Sequence, residues 1–215
     1  KIFEISPLRI STHCEDEQTI QTNLREAISK YNSDIPASCH ASIRSEEACY
    51  RSSSKAVELA TKQNAKLHVL HLSTAKEMQL FNSGQVKEKN ITSEVCIHHL
   101  WFDEKDYKIQ GNLIKWNPSI KTVKDKEALW EAVLKDKIDI ISTDHAPHTF
   151  EEKSKSYLEA PSGGPLIQYS LAAMLEMSKK DIIPIEKVIW KMCHAPADLF
   201  HIIRRGYIRE GYYAD

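Results

Sequence analysis

Four short apolar runs rich in β-branched residues punctuate the chain, and each closes on a polar junction. They are Leu8–Thr12 leading to His13-Cys14-Glu15-Asp16, Leu67–Leu72 leading to Ser73-Thr74, Thr92–Ile97 leading to His98-His99, and Ile138–Ser142 leading to Thr143-Asp144-His145. Runs of this length between polar boundaries read as strands. Helical spacing fills the intervals. Ile20, Leu24, Ile28 and Tyr31 fall on one stripe, Ile43, Glu47, Tyr50, Ser54 and Val57 on a weaker one, and Ile167, Leu171, Met174 and Leu175 on a third. Thr74 with Glu77, and Thr122 with Asp125, have the spacing of capping boxes, and Pro184 stands where a first-turn proline would open a helix carrying Val188, Ile189 and Met192. Strand alternating with helix predicts an α/β fold on a parallel sheet. The stretch from Thr149 to Gly164, with Glu151, Glu152, Lys153 and Pro161-Ser162-Gly163-Gly164, reads as a long surface loop and a plausible lid.

Composition narrows the class. The 215 residues carry 29 Lys+Arg against 30 Asp+Glu, a net charge of −1, which lacks the electrostatic footprint of a nucleic-acid binder. No apolar run approaches the roughly 18 residues needed to cross a bilayer, and the first residues do not read as a secretory signal. Five cysteines at irregular spacing do not describe a disulfide framework, so a reducing cytoplasm is the expected location. The chain opens on Lys1 without an initiator Met and stops at Asp215 just after an apparent turn, and the expectation is a piece of something longer.

In parallel α/β folds ligands gather beyond the carboxyl ends of the strands. Three of the four ends here offer a metal-binding side chain: His13, His71 and Asp144. Imidazole with carboxylate suits zinc and similar first-row ions. Strand alternation separates His68 from His71, so His68 is expected to face the helices as a structural histidine. The same alternation gives His98-His99 a packing or supporting role, and Cys14 reads as a small buried residue. Asp144 could instead be a cap, but two histidines and a proline follow within four residues. Asn117-Pro118 alone reads as a turn.

The ordered set His13-Cys14-Glu15-Asp16, His68-Val69-Leu70-His71-Leu72-Ser73-Thr74, Asn117-Pro118 and Thr143-Asp144-His145-Ala146-Pro147-His148, the last followed by Glu151-Glu152-Lys153, resembles the second half of the dihydroorotase family of the amidohydrolase superfamily. Ala195-Pro196-Ala197-Asp198-Leu199-Phe200, Arg205-Gly206-Tyr207-Ile208 and the tail from Gly211 to Asp215 resemble the segment that returns such chains to a small β-sandwich. The resemblance implies strands five to eight of a (β/α)₈ barrel over residues 1–202 and the start of the return segment over 203–215. It implies a centre of two zinc ions, with His13 and His71 on one metal and Asp144 on the other. Asp144 would also shuttle the proton, and Asn117, His148 and the backbone at Gly163 would hold the substrate. The implied reaction interconverts carbamoyl aspartate and dihydroorotate through a metal-bridging hydroxide.

The family's first-strand His-x-His pair, its substrate-gripping arginine and its bridging carboxylate have no counterpart here and are expected upstream of Lys1. The isolated segment is therefore expected to be inactive. Ser119-Ile120-Lys121 stands where many members have Pro-Leu-Arg, and His194 and His201 replace commoner Asn and Gly. The alternatives are a hydantoinase- or allantoinase-like cyclic amidase and a non-catalytic barrel used as a scaffold. The family is often dimeric, so a homodimer is an expected partner, though no segment of the sequence marks an interface.

Overall fold

A computed structural model describes residues 1–214; Asp215, the last residue of the expected return segment, lies outside the described residues. All four expected strands form. They are β1 (Ile10–Thr12), β2 (Leu67–Val69), β3 (Ile91–Cys96) and β4 (Ile140–Ser142), and they make one parallel sheet in sequence order. Strands β1, β2 and β4 are shorter than their apolar runs, and β3 is shifted one residue earlier. At β2 the reason is backbone geometry: His71 takes a left-handed conformation at φ 37°, which turns the chain out of the sheet.

The sheet is two-faced. Leu67, Val69, Val95 and Ile141 pack on one side against Ala60, Leu129, Ala132, Val133 and Met174 from the flanking helices. Full burial of each large aliphatic side chain contributes roughly 1.5–3 kcal/mol. The register places His68 opposite Thr92, and these residues face away from the helices. His68 therefore does not point into the helical layer as expected. Leu67 and Val69 take that face, and His68 meets Thr92 Oγ1 at 2.9 Å and Glu94 Oε2 at 3.1 Å on the other.

The helices follow their caps. Asp16 accepts from the Thr19 amide at the head of Glu17–Tyr31, and Ser45 accepts from the Ala48 amide at the head of Glu46–Lys62. The Thr122–Asp125 capping box closes reciprocally at the start of Val123–Leu134. Thr74 and Glu77 also exchange hydrogen bonds, but they initiate only the short 3₁₀ turn Lys76–Leu80. Pro184 sits one residue earlier than expected, as the N-cap of Ile185–Ile189, and the helical path continues through a π-helical segment, Trp190–His194, into Ala195–Leu199.

Two stripes differ from the sequence reading. In Glu46–Lys62 the fully buried residues are the small Ala48, Cys49, Ser53 and Ala60, while Val57 packs only partly buried against the sheet cluster and Tyr50 is half-buried. In Ile167–Lys179 the buried residues are Met174 and Met177, while Ile167, Leu171 and Leu175 are exposed. Among the described residues no helix is long and apolar enough to cross a membrane.

Candidate active site

His13 and His71 follow separate strands 58 residues apart, yet the Nδ1 atom of one lies 2.6 Å from the Nε2 atom of the other. His71 is buried and its Nδ1 has no hydrogen-bonding partner. Burial lowers the His71 pKa, the Asp144 carboxylate acts to raise it, and His13 acts to lower it. The net shift favours neutral imidazole, the form that binds metals. Asp144, two residues beyond β4, takes a left-handed conformation at φ 46°. His13 and His71 are thus hydrogen-bonded to one another within the field of the Asp144 carboxylate, and imidazole and carboxylate are the donor types that suit zinc or a similar divalent ion.

Asn117, His148 and Gly163 come together through a different set of contacts. Ser162 donates its hydroxyl to Asn117 Oδ1 at 3.0 Å, and the next residue, Gly163, lies against Ala146 and His148. Gly163 has φ 129°, and a Cβ there would fall 2.5 Å from the Ala146 carbonyl oxygen, so both conformation and space require glycine. The Asn117–Pro118 peptide is cis.

The Thr149–Gly164 stretch is more fastened than a polar surface loop. A Thr149–Glu152 capping box opens a short helix, Phe150–Lys153, and Lys153 is buried rather than solvated. Its ammonium donates to the carbonyls of Lys115, Pro161 and Gly163 at 2.9–3.0 Å. Lys115 in turn donates to the carbonyls of Tyr157 and Ala160, each at 2.6 Å. His40 donates from Nε2 to the Trp116 carbonyl and accepts at Nδ1 from the Tyr157 hydroxyl. Burial lowers both ammonium groups to about 8, with the charge of Arg44 adding to the effect on Lys115 and that of Lys115 to the effect on Lys153. The backbone on either side of Asn117 and Gly163 is thus held by two buried cations.

His98 and His99 do not alternate as strand residues. The strand stops at Cys96, and both lie on the helical turn Ile97–Trp101 with ring centroids 4.2 Å apart. His98 stacks on Trp116 at 4.4 Å, and His99 donates from Nε2 to the Pro118 carbonyl at 3.0 Å. Cys14 is buried as expected, and burial raises its thiol to about 11.

Glu94, which the sequence reading does not single out, pairs with His68 on the face of the sheet opposite the helices. Burial acts to raise its pKa, but the hydrogen bond and charge of His68 outweigh that and the net shift is downward. A charge in the middle of an apolar strand, two residues from Thr92 and two from Cys96, was the available signal. Period-two alternation puts all three on the face opposite the helices.

The sequence matches the Amidohydrolase family over residues 8–215. It is 34% identical over 161 residues to the dihydroorotase of Latilactobacillus sakei subsp. sakei (strain 23K), covering 74% of this chain and 37% of that protein. With the dihydroorotase of Halobacterium salinarum it shares 31% identity over 206 residues, 96% of this chain and 46% of that one. The chain therefore spans less than half the length of these relatives. Among solved structures, the L-hydantoinase (dihydropyrimidinase) of Arthrobacter aurescens superposes with a TM-score of 0.88 at 24% identity, over 96% of this chain and 47% of the other. The Saccharomyces cerevisiae dihydroorotase gives 0.63 at 17% identity, over 73% and 43%. These two likenesses are of fold. With its parallel sheet, its strand-end histidines and a family match that runs from the first strand onward, the chain belongs to the amidohydrolase family.

Proposed function

We propose that this chain is the second half, strands five to eight, of a (β/α)₈ dihydroorotase barrel, with residues 1–202 in the barrel and 203–215 beginning the return segment. Together with the first half it interconverts N-carbamoyl-L-aspartate and L-dihydroorotate. The approach of His13 to His71 at 2.6 Å, from two neighbouring strands and beside Asp144, carries this reading.

His13 and His71 would hold one zinc ion and Asp144 a second. Bound there, the two cations supply Lewis acidity for an amide carbonyl and bring the pKa of a water toward neutrality. The chain's own residues do the rest. In the hydrolytic direction Asp144 accepts the proton of the attacking water and returns it to the departing ring nitrogen, as general base and then general acid. Asn117 and His148 hold the substrate, and the backbone at Gly163 completes the pocket. Lys153 keeps that backbone in place through the Gly163 carbonyl.

The test is substrate profiling of the full-length protein with dihydroorotate, hydantoin and allantoin. Dihydroorotate is expected to be turned over preferentially, and Asp144→Asn is expected to lower kcat by about 10²–10⁴-fold, the usual worth of a positioned acid–base group. Preference for hydantoin or allantoin would replace the substrate assignment, and undiminished turnover in Asp144→Asn would remove the residue's role.

A further inference from the structure

Three buried side chains at the end of β3 and in the turn that follows have no part in the chemistry above. Cys96, His98 and His99 each offer a ligand atom, and these atoms all lie within 4.8 Å of one another. The residues are 0%, 1% and 3% exposed. Neither nitrogen of His98 has a hydrogen-bonding partner, and His99 Nδ1 has none. The His99 tautomer follows from its surroundings. Its Nε2–H donates to the Pro118 carbonyl, which leaves Nδ1 as a bare lone pair, and a backbone carbonyl bonded to the far nitrogen is the usual way a metal-binding imidazole is oriented. The Ser142 hydroxyl lies 3.2 Å from Cys96 Sγ and can donate to a thiolate there.

Packing alone leaves this arrangement unexplained. Buried imidazole nitrogens are normally paired, and three unpaired ones beside a thiol are an exception that calls for a ligand. The set contains one sulfur and two nitrogens and no oxygen, which disfavours magnesium and calcium and favours thiophilic cations. His98 also lines a cavity of about 400 Å³ with Ile97, Trp101, Phe102 and Leu166, and Glu176 adds the acidic group of that lining.

We infer that Cys96, His98 and His99 form a separate binding site for one thiophilic d¹⁰ cation, zinc(II) or copper(I), next to the reaction centre. Binding forms a bond from each ligand to the ion and breaks the S–H bond of Cys96. The thiol proton goes to solvent and no electrons are exchanged. This inference does not depend on the proposed reaction.

The test uses the full chain with Cys39→Ser and Cys193→Ser, which removes the two thiols that are not buried, and cobalt(II) as the spectroscopic probe. Cobalt is expected to give a thiolate-to-metal charge-transfer band that saturates at one ion per chain. The band should vanish in Cys96→Ser and persist in His71→Ala. Either zinc(II) or copper(I) should displace the cobalt and bleach it, and whichever does so at the lower concentration is the preferred ion. His99→Gln, read by the same band, should weaken cobalt binding at least tenfold and serves if Cys96→Ser does not fold. Absence of the band, its survival in Cys96→Ser, unchanged affinity in His99→Gln, or failure of both ions to displace cobalt would overturn the site. Loss of the band in His71→Ala would instead make Cys96 part of the reaction centre and overturn its separateness.

Discussion

Two buried polar regions meet at Trp116, and they are built on opposite principles. Beneath the Thr149–Gly164 stretch, Lys115, Lys153, His40 and Tyr157 all find partners, and the lysines satisfy five backbone carbonyls between them. At the strand ends nearby, His71 Nδ1, both nitrogens of His98 and His99 Nδ1 have none. A satisfied network fixes a conformation, whereas a buried polar atom without a partner costs free energy until something binds it. The first region is therefore read as scaffold and the second as a place for ligands.

The largest effect should come from the satisfied side. Lys153→Met would strand three buried carbonyls and is expected to cost about 3–5 kcal/mol, seen as a lower urea midpoint at unchanged slope. A loss below 1 kcal/mol would mean that the three contacts are not what holds the segment. Acid should act next. Burial is the main cause that pushes His40 and His99 down to about 3, whereas in the unfolded chain each takes its proton near 6.5. Between these values the unfolded state binds protons that the folded state refuses, so stability falls as pH drops below 6.5. The slope should be about 1.4 kcal/mol per pH unit for each such histidine, and His40→Phe should reduce it by one proton's worth. An unchanged slope in that variant would show that His40 titrates normally. The smallest effect belongs to the unsatisfied side. His98→Phe removes no hydrogen bond and keeps the stack on Trp116, so stability should change by less than about 1 kcal/mol in either direction. A loss as large as that of Lys153→Met would erase the distinction between the regions.

The sequence reading was most accurate where local rules act. All four strands, the Thr122 capping box and the approach of His13 to His71 followed from apolar runs, cap spacing and the habit of parallel sheets to gather ligands at strand ends. It was less accurate where a rule was carried past the element it governs. Alternation does not extend to His71 or to His98-His99, because β2 ends at Val69 and β3 at Cys96 and these residues obey turn and helix geometry. The face of His68 differs from the expected one because strand parity depends on which neighbours are apolar, and Leu67 and Val69 decide it. Lys153 could not be recognised as buried, since its three carbonyl partners come from residues 115, 161 and 163 and only the folded chain assembles them. The helix Ile167–Lys179 buries Met174 and Met177 and leaves Ile167, Leu171 and Leu175 exposed, which hydrophobic periodicity alone does not distinguish.

The central claim is that His13 and His71, which meet each other and leave His71 Nδ1 without a partner, are cation ligands, and that His40, bonded at both ring nitrogens, is not. Long-range ¹H–¹⁵N correlation spectra of the histidine side chains, recorded before and after addition of zinc, address it directly. The ring-nitrogen signals of His13 and His71 should move on zinc addition while those of His40 remain in place with Nε2 protonated. Unmoved signals from His13 and His71, or shifts at His40 as large as theirs, would contradict the account.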